Sequence, residues 1–500
     1  MRRTFPLFLL LSVLAQAQNT DGDQLFGSPG IRIIELDFAE PAFFDSLTAY
    51  FGQDINMPAT LTVDGVAHQL VGVQFKGNSS YNGPGDKKPF KIDINAYDDA
   101  NRVDGEKKFV LNNGFKDPSF LREKLALDLM NANGINAPRC TYAKLYLNGN
   151  YWGLYMLVEA VDKTFLDQRF DDNEGNLFKG DPIGDLKWYG PAPTGYYNRY
   201  ELHTNEAAND WSDLIHAVDV VNNTPASAFA DSIHARFKTQ SLLRAWAANN
   251  LLVNLDSYLG SGHNYYLYHD SVSTEWRWVN WDVNEAFGNF QMNMSVAQLR
   301  NMPLDHIGGS PGTRPLYERI LGDPQLRSEY IAELCDLVRL GIDTVAVRIK
   351  ADSLRAVIDQ AVLTDTHKFY TYQQFNLNRE QDLTLGQFTI PGVLSFLRAR
   401  VNYLDDALTT AGCITAIADA PMASALSVWP VPADDVLRFS GTTPVRMEIF
   451  DTEGRMVSSS QELRNSWELT VGHLTPGLYL VTLRDRAGTL IAQRRVPIVH

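Results

Sequence analysis

Between Asn249 and Asn289 the chain reads NNLLVNLDSYLGSGHNYYLYHDSVSTEWRWVNWDVNEAFGN, a stretch in which three hard oxygen donors stand close to one hairpin. An apolar helix carrying Leu242, Leu243, Trp246 and Leu252 runs out near Leu255, and Asp256 follows in a Ser/Gly-rich loop. His263 and Asn264 end that loop. Tyr265 to Tyr268 reads as a strand, Asp270 to Thr274 as a turn and Trp276 to Trp281 as a second strand, with Asp282 where the hairpin ends. Asp256, Asn264 and Asp282 can therefore converge at one edge of the hairpin. Two carboxylates and an amide suit Mg²⁺ or Mn²⁺ far better than zinc. Phosphoryl transfer needs such a set: an Asp near the incoming hydroxyl, an Asn and a second Asp on metal, and a Lys on the nucleotide phosphates. On that chemistry Asp256 is the base, and Asn264 and Asp282 are metal ligands. Asn264 lies eight positions after Asp256, a looser spacing than H-R-D-x-x-x-x-N. Asp and Asn are also favoured turn and cap residues, so spacing alone leaves a structural role open for each.

Further candidates lie upstream. Gly77-Asn78-Ser79-Ser80 separates two strands, where backbone N–H groups can cradle phosphate or simply close a hairpin. Lys88 and Lys91 stand at odd separation in one strand and so point to opposite faces; only one can reach a site, and Lys88 is favoured. Glu159 ends an apolar strand, either as a nucleotide-hinge or Lys-pairing residue or as a surface acid. Tyr151, Trp152, Tyr155 and Trp188 could stack an adenine but read more readily as core. No second His sits at metal-ligand spacing from His263. Cys140, Cys335 and Cys413 form no CxxC pair, which permits one disulfide plus a free thiol and excludes a disulfide framework or a zinc ribbon.

The elements that position these residues belong to a long chain. Its 500 residues suggest two to four folding units, and 45% hydrophobic content supplies a large core, which excludes a disordered or collagen-like chain. A net charge of -15 disfavours nucleic-acid binding, which needs clustered Lys and Arg. Met1 to Gln18 has Arg2 and Arg3, an apolar stretch from Phe5 to Leu14 and an A-x-A site, the pattern of a signal peptide cleaved near Ala17. No later stretch approaches the ~20 apolar residues of a transmembrane helix. From Ile31 to Leu408 strand patterns come first (31–36, 59–63, 69–75, 90–94, 141–147 and 152–158). Helical periodicity dominates later (118–132, 241–255, 316–321, 328–340, 344–362 and 393–411), an α+β order rather than a doubly wound sheet. Residues 424–500 turn to short alternating strands, with no Lys and eight Arg against eight Asp plus Glu, and read as a small all-β sandwich. The expected organisation is a signal peptide (1–17), a main domain (28–411), a linker (412–423) and the sandwich (424–500).

Several ordered motifs resemble the CotH kinases, atypical secreted or spore-coat protein kinases. They are Lys76-Gly77-Asn78-Ser79-Ser80, Lys87-Lys88-Pro89-Phe90-Lys91, Asp117-Pro118-Ser119-Phe120-Leu121-Arg122-Glu123 and the run Tyr146 to Tyr155 ending in Val158-Glu159. Gly175 to Lys179, His263 to Tyr268 and Trp281 to Gly288 complete the set, which spans Gly72 to Leu404. The resemblance implies a reduced bilobal protein-kinase-like domain that uses ATP and Mg²⁺ or Mn²⁺ to phosphorylate Ser or Thr of a protein. It implies a catalytic Asp256 and metal ligands Asp282 and Asn264, with Asn284 in the second metal position; the residue readings above add Lys76, Asn78, Ser79, Lys88 and Glu159 as candidate nucleotide contacts. Two positions depart from the family. Lys76 replaces an Arg and loses bidentate geometry. Asn284 replaces the second acid of W-D-x-D, keeping an oxygen without its charge.

The last ~75 residues resemble the C-terminal sorting domain of type IX secretion, on Pro430-x-Pro432, Asp451-Thr452-Glu453-Gly454-Arg455 and Leu474-Thr475-Pro476-Gly477-Leu478-Tyr479. That resemblance implies the secretion machinery as a partner and a secreted or cell-surface location reached through the periplasm. Export also keeps a second function in play, a catalytically inactive kinase-like adhesin or scaffold. A hydrolase or sugar-binding protein using the same acids lacks the paired carboxylates expected of a glycosidase.

Overall fold

Hairpin chemistry sets the first half of the chain. Asp64-Gly65 and Asn148-Gly149 each place two consecutive residues at positive φ (49° and 86°, 46° and 76°), the primed-turn geometry whose twist matches the flanking strands. They join β2 (Met57–Val63) to β3 (Val66–Phe75) and β6 (Cys140–Leu147) to β7 (Asn150–Glu159). With β1 (Arg32–Asp37), β4 (Phe90–Asp93) and β5 (Lys108–Asn112), these strands close into a seven-stranded barrel of order β1-β2-β3-β4-β5-β7-β6. Neighbours are antiparallel except β1 and β6, whose parallel pairing (Ile34 opposite Leu145) seals the ring. Alternate residues point inward, so Ile34, Leu36, Val73, Ile92, Leu111 and Leu157 are fully buried. Each such side chain contributes roughly 1.5–3 kcal/mol by leaving water. The computed structural model describes residues 20–27, 30–170 and 172–413, then 427–429, 433, 435–451, 455–460, 463–484 and 490–498. The segment read as a signal peptide and most of the expected linker lie outside the described residues.

A second, four-stranded antiparallel sheet follows, from β8 (Leu177–Gly180), β9 (Tyr200–Leu202), β10 (Tyr265–His269) and β11 (Trp276–Asn280), in the order β11-β10-β8-β9. The helix Thr239–Leu251 packs beside it and is buried nearly all round. Trp246 on that helix is fully buried, with its ring 5.2–5.6 Å from those of Tyr258, Trp278 and Tyr317. Arg400 of the helix Val393–Thr410 is buried too, and donates to the Asn250 amide oxygen at 2.7 Å.

The barrel is tied to the helical layer by one buried ion pair. Lys87 Nζ meets Asp365 Oδ2 at 2.5 Å, and both side chains are shut from solvent. The same carboxylate accepts from the Leu154 and His367 amides, so both of its oxygens are hydrogen-bonded. Gly153 (φ 145°) admits this approach, since a Cβ there would lie 2.6 Å from the Asp365 carboxylate.

The mixed α+β character matches the expectation, with strands first and helices later. Alternation could not announce that the first seven strands close on themselves. The short β5, β8 and β9, and the helices Ser212–Asn223 and Ala226–His234, went unrecognised because three to five residues carry little periodicity and the helices lie between motifs.

The chain divides into two compact units at residues 411 and 412. The second is all-β. Its strand Val436–Phe450 pairs with Ser427–Trp429 and Leu463–Thr470 along its first part. After a register shift between Gly441 and Val445 it pairs with Met456–Ser459 and Gly477–Arg484, and so serves two sheets. Leu437, Met447, Ile449, Val471, Val481 and Val496 make its own core. Cys140 is a free, buried thiol pushed well up by burial, whereas Cys335 and Cys413 are disulfide-bonded.

Candidate active site

A cleft of about 1100 Å³ opens between the barrel and the second sheet. Asp256, Asn264, Asp282 and Asn284 line it from the sheet side, and Lys76, Asn78 and Ser79 from the barrel side. Seven of the nine residues singled out from the sequence thus meet in one place.

The loop from Asp256 to Asn264 is folded by its own turn bonds: Gly260 N to Ser257 O at 3.1 Å, Ser261 N to Leu255 O at 2.9 Å and Gly262 N to Ser257 O at 2.9 Å. His263 Nε2 lies 2.9 Å from Asp256 Oδ1. Burial works against a charged imidazole, but the hydrogen bond and charge of Asp256, with Asp181 and Asp282 beyond, hold the His263 pKa above its ordinary value. A protonated His263 donates to Asp256 and fixes one carboxylate oxygen, leaving the other for the cleft. Asn264 Nδ2 donates to the Asp256 carbonyl at 2.8 Å, so the amide nitrogen is committed and its oxygen is the atom left to bind.

Asn264 and Asp282 both sit in the left-handed region, at φ 61° and 50°. Asn and Asp enter that region more readily than other side-chain-bearing residues, and such backbone costs of order 1–3 kcal/mol where it clusters at functional sites. The Asp282 Oδ1 atom is sealed from solvent and has no hydrogen-bond partner. Burial raises the Asp282 pKa and Asp256 raises it further, against the pull of Lys76. An orphaned carboxylate oxygen beside a cleft that a second acid and two amides also line is a donor set that fits a hard divalent cation. Among the described residues no three His, Cys, Asp or Glu side chains cluster in a metal-binding group, so a cation here would depend on the amides.

Opposite, Lys76 follows β3 directly. Burial depresses its ammonium, while Asp282 and Glu123 favour the charged form. Nζ donates to Asn112 Oδ1 at 3.2 Å, and Asn112 Nδ2 donates to Glu123 Oε1 at 2.7 Å. Glu123 opens the helix Arg122–Ala132, and burial together with Asp282 pushes its carboxyl up. Asp117 holds that helix start through the Arg122 amide at 2.8 Å and its guanidinium at 3.6 Å. Gly77 (φ 83°) turns the chain after Lys76, and a Cβ there would meet Ser80 Oγ at 2.3 Å.

Two expectations are corrected by the geometry. Lys88 turns away from the cleft to the Tyr81 and Gly83 carbonyls, at 2.7 and 3.1 Å, because it precedes β4 in an irregular turn rather than lying in the strand. Lys91, on the outward face of β4, lines the cleft instead. Glu159 is fully buried outside the cleft between Arg139 and Arg169, both at 2.6 Å, where two guanidiniums take its oxygens. The next residues, Ala160 to Asp162, are the ones that reach the cleft. Tyr155 is core, Tyr151 donates to the Ala361 carbonyl, and Trp152 stacks on His367 at 4.2 Å, so packing accounts for these aromatics.

Sequence reading missed Asn112 and the part played by Glu123, although Glu123 stood in a quoted motif; an acid in the first turn of a helix was its only local signal. It also missed Lys116, which lines the cleft while pairing with buried Glu285 at 2.6 Å, and the part played by Lys179 of the Gly175–Lys179 motif, which bridges Asp181 at 2.5 Å and Glu201 at 3.4 Å.

Residues 73–389 match the family described as CotH kinase protein, and residues 427–496 match the secretion system C-terminal sorting domain. The inner spore coat protein H of Bacillus subtilis (strain 168) is 25% identical over 317 residues, 61% of this chain and 79% of that protein. Invasin CotH2 of Rhizopus delemar is 25% identical over 201 residues, 38% of this chain, and the match spans 33% of the invasin. A solved structure, the Helicobacter pylori proinflammatory kinase CtkA, aligns over 67% of this chain and 93% of its own at 10% identity, with a TM-score of 0.29. Among the described residues no helix is long and apolar enough to cross a membrane. The C-terminal match marks a secreted or cell-surface protein, and the chain belongs to the CotH kinase protein family.

Proposed function

We propose that this protein is a secreted atypical protein kinase that moves the γ-phosphate of ATP to a Ser or Thr hydroxyl of a protein with Mg²⁺ or Mn²⁺. The observation that carries the reading is one cleft holding Asp256, Asp282 and Lys76, with Glu123 behind Lys76 through Asn112. The barrel with the helix Arg122–Ala132 would act as one lobe, and the second sheet with its helices as the other.

Asp282 and Asn264, with Asn284, would hold the cation, which when bound neutralises phosphate charge. Lys76 and the Gly77–Ser80 turn would hold the nucleotide phosphates. Asp256 accepts the proton of the incoming hydroxyl at the carboxylate oxygen that His263 leaves free. Asp282 favours the charged form of Lys76 against burial, and Asn112 fixes its direction.

A second reading is favoured by the sorting domain and by the invasin among the relatives: a kinase-like adhesin or scaffold without catalysis. One assay separates the two. The mature protein is incubated with labelled ATP and Mn²⁺ or Mg²⁺, and transfer of label to itself or to an acceptor protein is followed. Label that disappears in Asp256→Ala and Asp282→Ala supports the kinase. A folded wild type that binds no nucleotide sinks it and leaves the adhesin.

A further inference from the structure

The Asp256 loop has a second face, turned away from the cleft, and one side chain supports it. Arg314 is 7% exposed, and its guanidinium donates through Nη2 to the Gly260 carbonyl and through Nη1 to the Thr313 carbonyl at 2.6 Å. Its plane lies against Gly262 (φ 88°), where a Cβ would fall 2.6 Å from Arg314 Cζ. Gly308 completes the contact: its amide donates to the Leu259 carbonyl at 2.8 Å, and a Cβ on it would lie 2.5 Å from Gly260 Cα. Backbone therefore meets backbone on one side of the loop and a guanidinium fills the other.

The far end of Arg314 is anchored as firmly. Its amide donates to Glu318 Oε1 at 2.8 Å at the start of the helix Pro315–Gly322, and Gly312 N donates to the other Glu318 oxygen at 2.7 Å. Leu316 N donates to the Tyr258 hydroxyl at 3.3 Å, a second tie between the same helix and the same loop. A buried guanidinium spent on backbone carbonyls is expensive unless the geometry it enforces is worth keeping. Here that geometry belongs to a loop with Asp256 at one end and Asn264 at the other.

We infer that Arg314 is a positioning residue for Asp256, clamping Gly260 and Gly262 so that the carboxylate stays aimed into the cleft. The inference rests on the kinase reading for its consequence but not for its geometry. A lysine keeps the charge yet cannot hold two carbonyls in a plane or cover Gly262.

The test uses the full-length chain, with Arg314→Ala, Arg314→Lys as the gentler variant and Gly262→Ala, which crowds the guanidinium from the other side. Amide hydrogen exchange is read peptide by peptide. We expect exchange over residues 256–264 to accelerate about tenfold or more in all three, while the barrel strands keep wild-type protection. Phosphoryl transfer should fall in kcat by about ten- to a hundredfold with the KM for ATP held within about twofold. Millimolar guanidinium should restore part of the Arg314→Ala rate, a rescue that a general loss of stability would not give. Unchanged exchange in folded Arg314→Ala or Arg314→Lys overturns the inference, as does a parallel loss of protection throughout the unit. A wild type with no transfer defeats the kinase reading, and the exchange result still decides the role of Arg314.

Discussion

Lys76 and Glu123 are joined through the side chain of Asn112, whose oxygen accepts from the ammonium at 3.2 Å and whose nitrogen donates to the carboxylate at 2.7 Å. The amide can serve both because it carries an acceptor oxygen and a donor nitrogen on one side chain. Asn112→Leu leaves both buried polar groups without that partner. We expect a stability loss of about 1–3 kcal/mol in urea unfolding. A weaker apparent affinity for ATP should accompany it. Asn112→Asp, which keeps the acceptor but sets a second carboxylate against Glu123, should be no better, and recovery in that variant would refute the relay.

Asp282 holds a buried oxygen with no partner and a left-handed backbone, two costs with no structural return in the metal-free protein. Asp282→Asn should therefore raise the melting temperature in chelator, since it removes the buried charge and keeps the shape. Mn²⁺ should raise the melting temperature of the wild type, and the same variant should lose that rise. A melting temperature that drops in chelator would show that the Lys76 charge already satisfies Asp282.

What the sequence revealed of this site follows from how each residue announces itself. Asp256, Asn264 and Asp282 were legible because a short hairpin brings its ends together whatever surrounds it. Asn112 and Arg314 were not, since they reach partners 36 and 54 residues away, Lys76 and Gly260, that no local period marks. Lys88 lies outside the strand: β4 begins at Phe90, so the alternation that governs Lys91 does not extend to it. Both readings of Glu159, a nucleotide or Lys-pairing residue and a surface acid, assume an accessible side chain, because a strand-end acid is usually exposed. Two distant arginines, Arg139 and Arg169, reverse that. The barrel closure likewise depends on one parallel pairing, β1 with β6, between segments more than a hundred residues apart.

Adjacent lysines give a direct contrast. Lys87 is fully buried against Asp365, while Lys88 is satisfied by two carbonyls at a turn. Lys87→Met strands the Asp365 carboxylate and should cost about 3–5 kcal/mol in denaturant unfolding. Lys88→Ala should cost under about 1.5 kcal/mol and leave ATP affinity unchanged. Loss of nucleotide binding in Lys88→Ala, with stability intact, would return that lysine to the cleft.

Glu106 supplies a pH test away from the site. It is fully buried, shares Arg139 with Glu159, and has one carboxyl oxygen without a partner. Burial, with the neighbouring charge of Glu159, pushes its pKa up from 4.5 to about 8, against the pull of Arg139. The folded state thus keeps a proton that the unfolded chain releases above about pH 4.5. Over that window the native state binds more protons, so stability falls as pH rises, by at most about 1.4 kcal/mol per unit, and levels off above pH 8. Glu106→Gln keeps an acceptor for Arg139 and cannot titrate. The variant and the wild type should melt together near pH 5, and the variant should be the more stable by pH 8. A variant less stable than the wild type at every pH above 5 would mean that Glu106 is ionised and held by Arg139 throughout.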